Sequence, residues 1–173
     1  FNPEMEYRDN SPFLVAIRTE NMKFIELFCD SGAVLETCSS EGLPTLLYSF
    51  FFGFDDLTMY LALRQEDCDI DDEFGINIFT KYLMRHDIQR MSQLLKRGSK
   101  INYQNKYGWS PLHHAIEGKL PSKIVNWLIE NGADVHLEDV DGRDCCDKAA
   151  EKNSYRKIRA LTSYECQHNP QLR

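Results

Sequence analysis

Gly108-Trp109-Ser110-Pro111-Leu112-His113-His114-Ala115-Ile116 leads, after a short gap, into Ile124-Val125-Asn126-Trp127-Leu128-Ile129-Glu130-Asn131-Gly132-Ala133-Asp134-Val135. Each half reads as a short helix. Ser110 can cap a helix whose first turn takes Pro111, because a residue placed there has no intrahelical partner for its N–H in any case. Leu112, Ala115 and Ile116 then recur at helical spacing, and Ala115 is small enough to let two helices approach closely. Ile124, Val125, Leu128 and Ile129 give the second helix one apolar face. Gly132 follows where a left-handed backbone closes a helix at least cost.

This helix pair has four relatives in the chain. Asp9-Asn10-Ser11-Pro12, Gly42-Leu43-Pro44-Thr45, Gly75-Ile76-Asn77-Ile78, Gly108-Trp109-Ser110-Pro111 and Gly142-Arg143-Asp144-Cys145 begin 33, 33, 33 and 34 residues apart. A period near 33 residues means a stack of small units, none of which can bury its apolar face alone.

The fourth unit resembles the ankyrin repeat, whose pattern reads G-x-T-P-L-H-x-A-A, then I-V-x-L-L, then G-A-D-V. The first unit keeps Ser11-Pro12-Phe13-Leu14-Val15-Ala16-Ile17, Phe24-Ile25-Glu26-Leu27-Phe28 and Gly32-Ala33; the third ends on Gly98-Ser99-Lys100-Ile101. The second is poorer, with Pro44 and Thr45 swapped relative to the pattern and Gln65 where the later glycine belongs. The resemblance runs from about residue 7 to 162. It implies an all-α ankyrin-repeat solenoid: about five helix-turn-helix repeats, ten helices in all, with connecting β-hairpin loops. Residues 1–173 then form one domain, with repeats starting near 9, 42, 75, 108 and 142 and a polar tail at 165–173. The extra residue of the fourth unit belongs around Gly118 to Ser122, between its two helices, where insertion is tolerated. A polar second helix around Tyr155, Ile158 and Leu161 marks residues 142 to about 164 as the terminal cap. Lys81 and Tyr82 on the first helix of the third unit, and Arg90 where Ile124 stands in the fourth, depart from the pattern and predict a weak joint there.

Composition narrows the function classes. A formal charge of −7 argues against nucleic acid as the ligand and suits a protein or peptide with basic residues. The longest apolar run, Leu46 to Phe54, is too short to span a bilayer and ends on Asp55-Asp56, so no membrane insertion is expected. The chain opens on Phe1 without a secretory signal, as expected of a piece of a longer protein. Cys29, Cys38, Cys68, Cys145, Cys146 and Cys166 form no C-x-x-C pair and no Cys/His metal spacing, which fits reduced thiols in the cytoplasm or nucleus. No nucleophile elbow, phosphate-cradling glycine loop or zincin motif is present. We therefore expect no catalytic residue, no metal, no cofactor and no small-molecule substrate. The acidic stretch Asp67 to Glu73 lacks the glycine and closing glutamate of a calcium loop and reads as a solvated hairpin tip.

In the ankyrin pattern the position of His113 is structural, its imidazole bridging its helix to neighbouring backbone. The resemblance also implies that partners meet the hairpin tips and the first helix of each unit, on the concave side. Carried onto this chain, those positions are Leu43, Phe51 and Phe52 in the second unit, and Phe74, Ile76, Met84 and Arg85 in the third. The fourth supplies Tyr107, Trp109, His114 and Glu117, and the fifth Arg143. Exposed aromatics and arginine are the residue types enriched at binding hot spots. Phe50 is expected to turn into the core; Phe51 and Phe52 suit either groove or core. The function implied is a non-enzymatic protein-protein interaction module. The alternatives are a regulatory segment of a larger enzyme, channel or transcription factor, and an aromatic cage for a methylated lysine peptide.

Overall fold

The computed structural model describes residues 12–31, 44–64 and 69–152. The openings of the first two units, Gly32-Ala33, Gln65, the tenth helix beyond residue 152 and the tail at 165–173 lie outside the described residues. Nine helices are present among the described residues: α1 (Pro12–Arg18), α2 (Met22–Asp30), α3 (Thr45–Phe51), α4 (Asp55–Arg64), α5 (Ile78–Met84), α6 (Ile88–Lys96), α7 (Pro111–Glu117), α8 (Ser122–Glu130) and α9 (Cys145–Glu151). The seven-residue first helices form one layer, α1 on α3 on α5 on α7 on α9. Each of α1, α3, α5 and α7 also packs on its own second helix, and α4 packs on α6.

Local chemistry explains where these helices start and stop. Ser110 caps α7: its Oγ accepts the His113 amide (3.4 Å), and Pro111 occupies the first turn. Asn77 and Asp87 do the same for α5 and α6, accepting from Thr80 and Arg90. The link between α7 and α8 is four residues, against three between α5 and α6, so the extra residue of the fourth unit sits between its helices. Leu112, Ala115, Ile116, Val125 and Leu128 are wholly buried in one continuous core. Each large aliphatic side chain there contributes about 1.5–3 kcal/mol through burial.

Every first helix among the described residues of units one to four ends on a residue with positive φ at the same place in the repeat: Glu20 (49°), Gly53 (80°), His86 (60°) and Lys119 (53°). Left-handed backbone strains a residue that carries a Cβ. Unit two already places glycine there, with open space around it. His86→Gly is therefore expected to raise stability by about 0.5–1 kcal/mol, strain relief outweighing glycine's larger entropy loss. A urea midpoint that moves up at unchanged slope checks it.

Two expectations need correction. The third unit is not a weak joint by reason of Lys81 and Tyr82. Tyr82 is fully buried with its ring edge-on to Phe50 (5.3 Å), and the Lys81 ammonium reaches Asp72 at 2.6 Å. Nor is the acidic stretch simply a solvated tip. Asp72 is buried against Lys81, and Asp69 is buried where it accepts from the Asn77 amide (3.2 Å) and the Lys100 backbone N–H (3.3 Å).

Candidate partner-binding groove

The hairpins of units three, four and five share one device. Asp72, Asn105 and Asp139 each stand three residues before the unit's glycine. In each, Oδ1 accepts the amides two and four residues on: Phe74 and Ile76 (3.0 and 2.9 Å), Tyr107 and Trp109 (2.9 and 3.0 Å), Asp141 and Arg143 (2.9 and 3.0 Å). Gly75, Gly108 and Gly142 follow with φ near +74°, so the chain reverses where only glycine turns without strain. These amides fix the hairpin residues on either side of each glycine.

The second polar atom of each turn residue reaches nine residues along, into the first helix. In units three and five it meets lysine: Lys81 Nζ to Asp72 (2.6 Å) and Lys148 Nζ to Asp139 (2.7 Å), both pairs buried. In unit four it is neutral: Asn105 Nδ2 lies 3.3 Å from His114 Nε2. Burial alone would raise the Asp139 carboxyl. The Lys148 ammonium and the amides of residues 141 and 143 outweigh it and hold Asp139 well below the usual carboxylate range. Asp139 thus adds stability that is present above the unfolded carboxyl's pKa and lost as pH falls below it.

Between these hairpins and the first helices lies a groove of about 550 Å³. Phe74, Ile76 and Met84 form one wall, Tyr107 and Trp109 the centre, and Val140 the far wall. His114 and Asn105 lie at its floor, with Glu117, Asp141 and Arg143 at the rim. Phe74 and Tyr107 are 64% and 47% exposed, large values for aromatic rings. Trp109 is half-buried, edge-on to His114 (5.2 Å) and with Lys148 Nζ 4.3 Å from its ring centre.

Eight of the twelve positions carried over from the resemblance meet in this groove: Phe74, Ile76, Met84, Tyr107, Trp109, His114, Glu117 and Arg143. Three do not. Phe52 turns inward and stacks on Tyr48 (4.5 Å) and Phe54 (6.1 Å), so it belongs to the core side. Phe51 is exposed but stands outside the groove, with Lys81 Nζ 4.5 Å from its ring. Arg85 is committed to Asp55 (2.7 Å) and to the face of Phe50 (3.9 Å), and Phe50 is buried as expected. Leu43 lies outside the described residues. Asn105 and Lys148 had no place in the sequence reading, although an Asp or Asn recurring three residues before Gly75, Gly108 and Gly142 is visible in the sequence.

His113 bridges as its position implies. The Ser110 N–H donates to its Nδ1 (3.2 Å), which leaves the proton on Nε2, placed 3.4 Å from the Arg143 carbonyl. Burial, then the neighbouring His113 and Lys148, depress His114 to about 4. A histidine held neutral in the fold favours unfolding once the unfolded chain can protonate. Stability is therefore full above about pH 6.5 and declines as pH falls to about 4, by about 3 kcal/mol in total. Urea titrations at pH 7 and pH 4.5 check this; His114→Asn should flatten the difference.

Comparison with known proteins agrees with this architecture. The family described as Ankyrin repeats (3 copies) matches residues 46–139 and 83–171. An ankyrin repeat protein of Rickettsia felis is 24% identical over 131 residues, covering 75% of this chain and 34% of that protein. The 2-5A-dependent ribonuclease of Mus musculus is 38% identical over 64 residues, 36% of this chain and 8% of the relative. The crystal structure of an ankyrin repeat protein superposes with a TM-score of 0.71 at 25% identity, over 92% of this chain and 83% of the other. The chain thus spans about a third or less of these two sequence relatives.

Proposed function

This chain belongs to the ankyrin-repeat family, an all-α repeat solenoid whose repeats are protein-protein interaction modules, and from that premise we propose that it docks a partner protein or peptide in the groove between units three, four and five. The carrying observation is the run of exposed apolar side chains, Phe74, Met84, Tyr107 and Val140, on a rigid frame of buried turn residues. Exposed apolar patches framed by polar residues mark interaction sites. On this reading the chain performs no chemistry of its own, as is typical of the fold, and works in the cytoplasm or nucleus. A second reading, a regulatory segment beside catalytic domains of a longer protein, draws on the ribonuclease relative, which this chain matches over only 8% of its length. An aromatic cage for methylated lysine is disfavoured, because Lys148 already stands over Trp109 and Lys106 over Tyr107 (5.1 Å).

Tyr107 and Phe74 test the groove better than Trp109, whose ring also backs the buried Lys148. Phe74→Ala combined with Tyr107→Ala is expected to weaken a captured partner by about 2 kcal/mol or more, a hot-spot magnitude. The melting temperature should move little, since both rings are exposed. Partners that bind the variant and the parent chain equally would refute docking in this groove.

A further inference from the structure

The floor of the groove is where unit four departs from its neighbours. Units three and five place a buried Asp–Lys pair at this register; unit four places Asn105 and His114. The orientation of the Asn105 amide is fixed, since its Oδ1 accepts two backbone amides and its Nδ2 donates to the Gly75 carbonyl at 2.7 Å. Facing His114, Asn105 therefore presents a donor, so His114 Nε2 accepts and the imidazole proton sits on Nδ1. That N–H has no acceptor among the described residues, and it is not sealed into the core. His114 is nonetheless 8% exposed. A nearly buried donor with no partner calls for an acceptor supplied from outside.

Charge then selects the acceptor. Around the groove, Arg143, Lys148, Lys152 and Lys106 stand against Asp139, Asp141, Glu151 and Glu117, four cations and four acids. An anionic ligand would find no surplus of cation, since Arg143, Lys148 and Lys152 are in ion pairs and Lys106 bonds the Glu73 carbonyl. A cationic one would face an N–H donor at the floor and aromatic faces already covered by the chain's own lysines. We propose, resting on the docking function above, that the groove takes an uncharged apolar peptide segment, one aliphatic side chain between Phe74, Met84 and Trp109, with a backbone carbonyl accepting the His114 Nδ1–H.

The test follows ¹⁵N signals of the His114 imidazole and the Trp109 indole during titration with three probes: N-acetyl-leucinamide, N-acetyl-trimethyllysinamide and sodium acetate. The leucinamide is expected to move both signals saturably, with at least a fivefold lower dissociation constant than the other two. Asn105→Asp combined with His114→Lys installs the pair that units three and five already fold with. It should keep the melting transition and weaken the leucinamide at least fivefold. If the trimethyllysinamide or acetate saturates the same signals at equal or lower concentration, the uncharged-guest assignment is wrong while the groove stands as a docking surface. If the double variant folds and binds the leucinamide unchanged, the His114 donor plays no part. If no probe moves either signal, the groove reading falls together with this one.

Discussion

Replacing Lys148 by methionine is expected to lower the unfolding free energy by about 3 kcal/mol, because it leaves Asp139 charged and buried with only the partly exposed Arg143, at 3.3 Å, to balance it. The two side chains are 2% and 0% exposed and 2.7 Å apart, so no water can take the lysine's place without opening the hairpin. At roughly 2–4 °C per kcal/mol for a chain of this size, the melting temperature falls by about 10 °C. Adding Asp139→Asn should restore most of the loss. Asparagine keeps the two amide bonds that Oδ1 accepts from residues 141 and 143, as Asn105 does for residues 107 and 109 in unit four, and it brings no charge. A urea double-mutant cycle measures the coupling. A loss below about 1 kcal/mol for Lys148→Met would mean that Arg143 or an added proton compensates Asp139 and that the pair with Lys148 is dispensable.

The surface pairs between units deserve no such weight. Arg64 with Asp30 and Arg85 with Asp55 are both at 2.7 Å, but their side chains are substantially exposed, and pairs of that kind contribute about 0–1 kcal/mol. Depth decides between otherwise similar ion pairs in this molecule.

That difference in depth also marks what the sequence could and could not tell. The helix pair of unit four was legible because cap, apolar spacing and closing glycine are local features, and Ser110, Pro111 and Gly132 occupy the roles their chemistry dictates. The period carried the rest of the fold. The groove was legible as a set of positions, and Phe74, Tyr107, Trp109 and His114 do converge. Side-chain direction was not. Phe51 and Phe52 are adjacent on one turn, so a rotation of about 100° per residue sends one to solvent and the other onto Tyr48, and composition cannot choose between them. Asp72 and Lys81 misled for a related reason. Each looks like a surface charge when read alone, and the nine-residue register that buries them together emerges only when three hairpins are laid side by side.

Glycine at the hairpin gives the second large effect, and its size should depend on which hairpin is changed. Gly75, Gly108 and Gly142 share a φ of about +74°, so alanine carries a similar strain of about 1–2 kcal/mol at each. Their surroundings differ. A Cβ on Gly108 would stand 2.8 Å from the Asp139 Cα and 2.9 Å from the Val140 amide nitrogen, backbone atoms of the next unit that no rotamer can move aside. That same stretch bonds the Tyr107 carbonyl through the Val140 amide at 3.2 Å, so relief of the clash pulls apart the contact between hairpins four and five. Gly108→Ala is therefore expected to cost about 3–4 kcal/mol, strain and lost packing together. At Gly142 a Cβ meets nothing within 4 Å, and Gly142→Ala should cost the strain alone. Gly75→Ala should fall between them, since its Cβ meets the side chain of Asn105 at 2.9 Å and would disturb the bond on which the tautomer of His114 depends. Urea unfolding of the three single variants gives the order directly. Equal losses at all three would show that backbone strain, not the close approach of successive hairpins, sets the requirement for glycine.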